Sequence, residues 1–112
     1  MKFDHIAITV SDIYRSVEWY KENFKAIVKQ ENDYWAMLKI GDINLALVLK
    51  DSHPPHVAFN VESFNDFPDG VEIKLHHDGS YYLYRDDPDG NSVEMIYWPK
   101  ATSKELGDDS KK

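Results

Sequence analysis

Two hexapeptides constrain this chain more than any other feature. His5-Ile6-Ala7-Ile8-Thr9-Val10 and His56-Val57-Ala58-Phe59-Asn60-Val61 share the pattern His, β-branched, Ala, two variable residues, Val, at an offset of 51 residues. Self-similarity at this period marks one supersecondary unit used twice. The turn glycines Gly41 and Gly90 lie 49 residues apart, nearly the same offset.

The elements around each copy agree. In the first half, 3–10 reads as a β-branched strand, with Phe3, His5, Ala7 and Thr9 expected on one side and Asp4, Ile6, Ile8 and Val10 on the other. Ser11 or Asp12 offers an N-cap oxygen. Ile13, Val17, Tyr20 and Phe24 then recur at helical spacing, which predicts an amphipathic helix near 12–24. Strands are expected at 25–31, 33–40 and 43–49, the last two joined by Gly41-Asp42. The stretch Asp51-Ser52-His53-Pro54-Pro55 breaks the pattern, because consecutive prolines cannot continue a ladder. The second half restarts with a strand at 56–61 and a short helix at 62–67, stopped by Pro68-Asp69-Gly70. Strands at 71–75, 80–85 and 91–98 follow. The order strand, helix, three strands, twice over, predicts an α+β fold. Two βαβββ modules, about 3–50 and 56–98, would form an open, curled mixed sheet. One domain would span 1–100, with 101–112 a frayed polar tail.

Composition narrows the function. With 112 residues, 42% of them hydrophobic, the chain has enough apolar side chain for one packed core. It has no cysteine, which removes thiol nucleophiles, thiolate metal sites and disulfides. Twenty acidic against 13 basic residues give a net charge of −7, the wrong sign for a nucleic-acid partner. No apolar run approaches the roughly 20 residues of a membrane-spanning helix, so no membrane partner is expected. The first residues lack the pattern of a secretion signal, and a cytoplasmic location is the expectation.

His5 and His56 hold equivalent steps of two repeated strands, so pseudo-twofold packing brings both imidazoles to one space. Imidazole nitrogen is a common ligand of first-row divalent metals. Glu94 lies mid-strand among apolar neighbours, where a carboxylate is costly unless exposed, paired or bound. Together they make a two-His, one-carboxylate set with coordination positions left open. The competing readings are hydrogen-bonded strand histidines and a solvated strand glutamate. His53, His76 and His77 read as surface residues, with His76 or His77 within reach of a pocket mouth. Asp86, Asp87 and Asp89 read as turn chemistry rather than a calcium loop. Ser80, Tyr82 and Tyr84 would share a strand face and offer hydroxyls to a pocket. No nucleophile-elbow or phosphate-loop motif is present.

The run from His5 to Asp12, with Ser16-Val17-Glu18-Trp19-Tyr20 on the helix, resembles the vicinal oxygen chelate superfamily. So does Asp87-Pro88-Asp89-Gly90-Asn91-Ser92-Val93-Glu94. That group contains glyoxalase I, extradiol dioxygenases, fosfomycin resistance proteins and bleomycin resistance proteins. The resemblance covers roughly residues 3–98. It implies a divalent metal (Zn, Mn, Ni or Fe) held by His5, His56 and Glu94, a small substrate that chelates it through adjacent oxygens, and a homodimer. A lyase, transferase or dioxygenase activity follows as the expected enzyme class. Glyoxalase I adds a fourth ligand in the first module. The spacing from Gly90 to Glu94, applied to Gly41, puts that position at Leu45, between Asn44 and Ala46. Resemblance to the fosfomycin proteins places Lys74 and Tyr84 as helpers that grip the substrate. Ala7 stands where those proteins carry threonine, and their later basic position falls at Ser103 or Lys104. A second expectation, of a different class, is a metal-free protein that sequesters a small molecule, as bleomycin resistance proteins do. The acidic balance suits a cationic ligand for such a protein.

Overall fold

In the computed structural model, which describes residues 1–76 and 78–99, the chain runs β1 (Lys2–Val10), α1 (Ile13–Phe24), β2 (Ile27–Glu31), β3 (Trp35–Ile40) and β4 (Ile43–Leu49), then β5 (His56–Asn60), a 3-10 turn (Phe64–Asp66), β6 (Lys74–Leu75), β7 (Tyr81–Asp86) and β8 (Ser92–Tyr97). The eight strands form one open mixed sheet in the order β2-β3-β4-β1-β5-β8-β7-β6. Each module contributes one parallel pair, β1 with β4 and β5 with β8. The modules meet where β1 and β5 pair antiparallel. The tail at 101–112 and His77 lie outside the described residues.

Helix α1 forms where the spacing predicts it. Of the two capping candidates, Asp12 takes the role, its carboxylate accepting from the Arg15 N–H at 3.0 Å. Lys25 ends the helix in the left-handed region, at φ 57°; its N–H donates to Lys21 O at 3.2 Å and the Ala26 N–H donates to Tyr20 O at 3.3 Å. Ile13 and Val17 bury against Ala36, Leu38 and Leu47 of the sheet's outer face, and Ile8, Val10, Leu45 and Leu49 pack around them.

The second module has no counterpart of α1. Sixteen residues (11–26) join β1 to β2, but only thirteen (61–73) join β5 to β6, and Pro68 interrupts them. The short helix expected at 62–67 is a single 3-10 turn, held by a capping box between Ser63 and Asp66. The strand expected at 71–75 shrinks to Lys74–Leu75, because Val71 and Glu72 lie exposed outside the ladder. The outer face of this module is covered instead by Phe67 packed with Val61 and Leu83, and by Phe64 edge-on to Phe67, Tyr81 and Tyr97.

The inner face carries the alternate residues of the same strands. Ala7, Ala46 and Ala58 are 1%, 5% and 0% exposed there although no helix covers them. These small side chains line that face at the seam between modules. No helix among the described residues is long and apolar enough to cross a membrane.

Candidate metal centre

His5, His56 and Glu94 meet on this face. The ladder explains why. His5 opposes Ala58 and His56 opposes Ala7 across the β1–β5 seam, so the two histidines sit on one diagonal of neighbouring strands. Ala58 in turn registers with Glu94 on β8. His5 Nε2 lies 3.3 Å from His56 Nε2, and Glu94 Oε1 lies 3.7 Å from the first and 3.4 Å from the second. Glu94 is 2% exposed and His56 7%.

The far side of each donor is held. His56 Nδ1 is 2.8 Å from the Pro54 carbonyl, so the proline break that separates the modules also orients a histidine. His5 Nδ1 is 2.6 Å from Asp4 Oδ1. Neighbouring strand residues normally face opposite sides, and the alternation in β1 predicts Asp4 on the outer face. The structure corrects this. The ladder register shifts between Phe3 and His5, so Asp4 is the extra residue of a β-bulge and its carboxylate turns toward its neighbour's imidazole. Asn60 Nδ2 donates to Asp4 Oδ2 at 2.7 Å, and Asn44 Nδ2 donates to the Asp4 carbonyl at 3.0 Å. The hydrogen bond from His5, reinforced by that from Asn60 and by the charges of His5 and Lys29, outweighs burial and holds the Asp4 carboxyl below its ordinary range.

With Nδ1 of both histidines engaged on the far side, both Nε2 atoms and Glu94 Oε1 face one spot. Burial alone would pull the His56 pKa down, but its hydrogen bonds to Glu94 and Pro54 push it above the ordinary value. Burial likewise would raise Glu94, yet hydrogen bonds from His56 and His76 and the charges of His56 and His5 bring it below its ordinary value.

A divalent ion fits the same spot. The point equidistant from the three donor atoms lies about 2.0 Å from each, which is the reach of imidazole nitrogen and carboxylate oxygen on zinc-like metals. Both histidines carry the outward Nδ1 partner that metal-binding imidazoles normally have.

The remaining candidates take distinct places. Tyr84 opposes Glu94 on β7, and its ring stands edge-on to His56 at 5.2 Å between centroids. Burial, aided by the charge of Glu94, raises its pKa, so the phenol keeps its proton. Lys74 registers with Tyr82, which places it on the inner face, but it is exposed at the sheet edge and has no hydrogen bond or ion pair among the described residues. His53 is exposed in the proline loop.

His76 departs from the surface reading. Its Nε2 lies 3.1 Å from Glu94 Oε2, and its ring stacks on Tyr82 at 3.6 Å and 12°. The signal was its position two residues before the Asp78-Gly79 turn: the tight turn pairs His76 with Ser80 and so gives it the facing of Lys74 and Tyr82.

Register also moves the fourth-ligand position. Ala7 pairs with Ala46 as Ala58 pairs with Glu94, so Ala46, not Leu45, is the counterpart of Glu94. Leu45 packs on the helix side. Counting from the turn glycines fails because the β3–β4 loop has two residues (41–42) and the β7–β8 loop has five (87–91), which reverses the facing of the residues that follow. Alanine supplies no ligand. A separate cleft of about 520 Å³ lies between the start of α1 and the β2–β3 turn and shares no lining residue with this centre.

Comparison with known proteins bears on the fold and the family. The solved structures that resemble the chain include methylmalonyl-CoA epimerase from Mycobacterium tuberculosis, with 18% identity over 88% of this chain and 89% of that one and a TM-score of 0.64. A Streptomyces coelicolor methylmalonyl-CoA epimerase variant in complex with 2-nitronate-propionyl-CoA shares 21% identity over 87% and 96%, with a TM-score of 0.63. A Vibrio splendidus 12B01 member of the glyoxalase/bleomycin resistance protein/dioxygenase superfamily shares 13% over 87% and 100%, at 0.64. No functionally curated protein matches the chain by sequence. The family model for the Glyoxalase/Bleomycin resistance protein/Dioxygenase superfamily matches residues 2–95, nearly the whole repeat, and the chain belongs to that superfamily.

Proposed function

We propose that this protein is a small divalent-metal-dependent enzyme whose substrate presents two neighbouring oxygens. One observation carries the reading: three donor atoms, from buried His56 and Glu94 and half-buried His5, converge within coordination distance of a single point, with the outward nitrogen of both imidazoles already engaged. A bound ion would act as a Lewis acid toward negative charge developing on a substrate oxygen. Zn, Mn, Ni and Fe all accept this donor set, so availability decides among them.

The chain's own residues do the rest. His5, His56 and Glu94 hold the ion. Ala46 and Ala7 supply no ligand on the first-module side, which leaves coordination positions of the ion for the substrate's oxygens. Tyr84, kept protonated, donates a hydrogen bond to a substrate oxygen. Lys74 at the rim supplies charge for an anionic substituent. The ligands of the epimerase relatives support this class: methylmalonyl-CoA carries a carboxylate and a thioester carbonyl on one acidic carbon, and the nitronate analogue also pairs oxygens beside such a carbon. The reading includes a homodimer, because the open sheet ends on two edges, β2 and β6.

The test is metal analysis of the purified protein and thermal melting with Zn²⁺, Mn²⁺, Ni²⁺ and Fe²⁺. A ligand that binds only the folded state stabilises it by about 2.7 kcal/mol at a hundredfold excess over Kd. At least one metal should raise the melting temperature, and His5→Ala should abolish the rise. No response to any of the four refutes metal dependence and favours sequestration. Sedimentation of a monomer at micromolar concentration refutes the dimer.

A further inference from the structure

We propose that His76 is a positioning residue that fixes Glu94 for metal binding. The inference rests on the metal reading above and goes beyond it, because His76 is outside the three-residue donor set. The carboxylate's two oxygens face different partners. Oε1 lies 3.4 Å from His56 Nε2 and 3.7 Å from His5 Nε2, whereas Oε2 lies 3.1 Å from His76 Nε2. The terminal torsion of a glutamate is broad and nearly two-fold. A Glu94 without His76 would rotate or turn both oxygens inward. The His76 N–H occupies Oε2 and leaves Oε1 as the atom presented to the centre.

His76 is itself held firmly. Its ring lies flat on Tyr82. Its backbone N–H donates to Ser80 O at 2.9 Å, and its carbonyl accepts from the Gly79 N–H at 3.0 Å. Asp78 closes the same turn by accepting from the Ser80 N–H at 3.0 Å and from its hydroxyl at 2.7 Å. His76 thereby completes a pattern: each of the three donors has one partner behind it, Asp4 for His5, the Pro54 carbonyl for His56 and His76 for Glu94. Its side chain is 30% exposed, so replacing it opens no cavity in either buried core cluster.

Two variants of the full chain separate the hydrogen bond from the packing. His76→Phe keeps a ring on Tyr82 and loses the donor. His76→Gln keeps a donor near the same place. Metal-free protein is titrated with Co²⁺, following the visible absorption and the competition with a chelator. His76→Phe should bind about 10–100-fold more weakly, the range for lost outer partners of metal ligands, and show a changed absorption spectrum. His76→Gln should recover most of the affinity and the wild-type spectrum. Equal binding and spectra for wild type and His76→Phe, or a His76→Gln as weak as His76→Phe, overturn the proposal. A melting cycle without metal pairs His76→Phe with Glu94→Gln. Coupled shifts support the contact, and additive shifts overturn it. A wild type that takes up no Co²⁺ but shows coupling refutes the metal reading and leaves His76 as the anchor of Glu94 alone.

Discussion

The first module lays a twelve-residue helix across its outer face; the second covers the same face with one 3-10 turn and a cluster of aromatic rings. The inner faces are unequal in the opposite sense. The first module contributes His5 with its Asp4 support, and its remaining counterpart position is Ala46. The second contributes His56, Glu94, His76 and Tyr84. Backbone register is shared, and side-chain load is not. The contrast shows that packing on the outer face and chemistry on the inner face are set by alternate residues of the same strands. Either can change in one module without disturbing the other.

Four measurements test that division, and the largest effect comes from the core. Leu47, fully buried beneath α1, should lose about 3–5 kcal/mol on replacement by Ala, and Leu83→Ala in the aromatic-capped module about 2–3 kcal/mol. Urea unfolding of both variants decides, and the reverse order would mean that the helix is not the main source of stability. Next is Ala46→Glu, which places a carboxylate at the register of Glu94. Without metal it should destabilise by about 2–3 kcal/mol, as a buried charge without a dedicated partner. Added Zn²⁺ or Ni²⁺ should restore more stability than it adds to the wild type. No extra metal response would show that the two positions are equivalent in the ladder only.

The third effect is on pH dependence, with slopes of at most about 1.4 kcal/mol per pH unit for each proton exchanged. His56 is raised above its ordinary 6.5, so its contribution is complete below that value and is lost as pH rises through the raised value. Glu94 and Asp4 are lowered below their ordinary 4.5 and 3.8, so their contributions hold above those values and are lost as pH falls through the lowered ones. Metal-free protein should therefore be most stable between about pH 4.5 and 6.5. His56→Asn should remove the alkaline decline, while Asp4→Asn in the first module should leave it in place. Denaturant midpoints across pH check both. The smallest effect has the opposite sign. Lys25 ends α1 at a positive φ, where a side chain costs energy and glycine does not. Lys25→Gly should stabilise by about 0.5–1 kcal/mol in the same urea assay.

The repeat was legible because its unit is written twice, and the helix because its apolar spacing and Asp12 cap are local. His5, His56 and Glu94 could be brought together on paper because one offset relates the histidines and one apolar strand isolates the glutamate. What was not legible depends on facing. A bulge at Asp4 leaves no mark in the alternation of β1, yet it creates the support for His5. The counterpart of Glu94 was misplaced by one residue because loops of two and five residues reverse the side that follows them. His76 could be read only as within reach of a pocket mouth, for a related reason: the width of the β6–β7 turn, not the residue type, decides that it faces inward. The second helical segment was legible as short, because Pro68-Asp69-Gly70 stops it soon after it starts.

The two half-sheets are joined strand to strand along one line, β1 against β5. The donor atoms straddle that line, with His5 on one side and His56 and Glu94 on the other. An ion held there is a rivet through the joint. Sliding or parting the halves would require it to leave, so its binding free energy becomes cohesion between them.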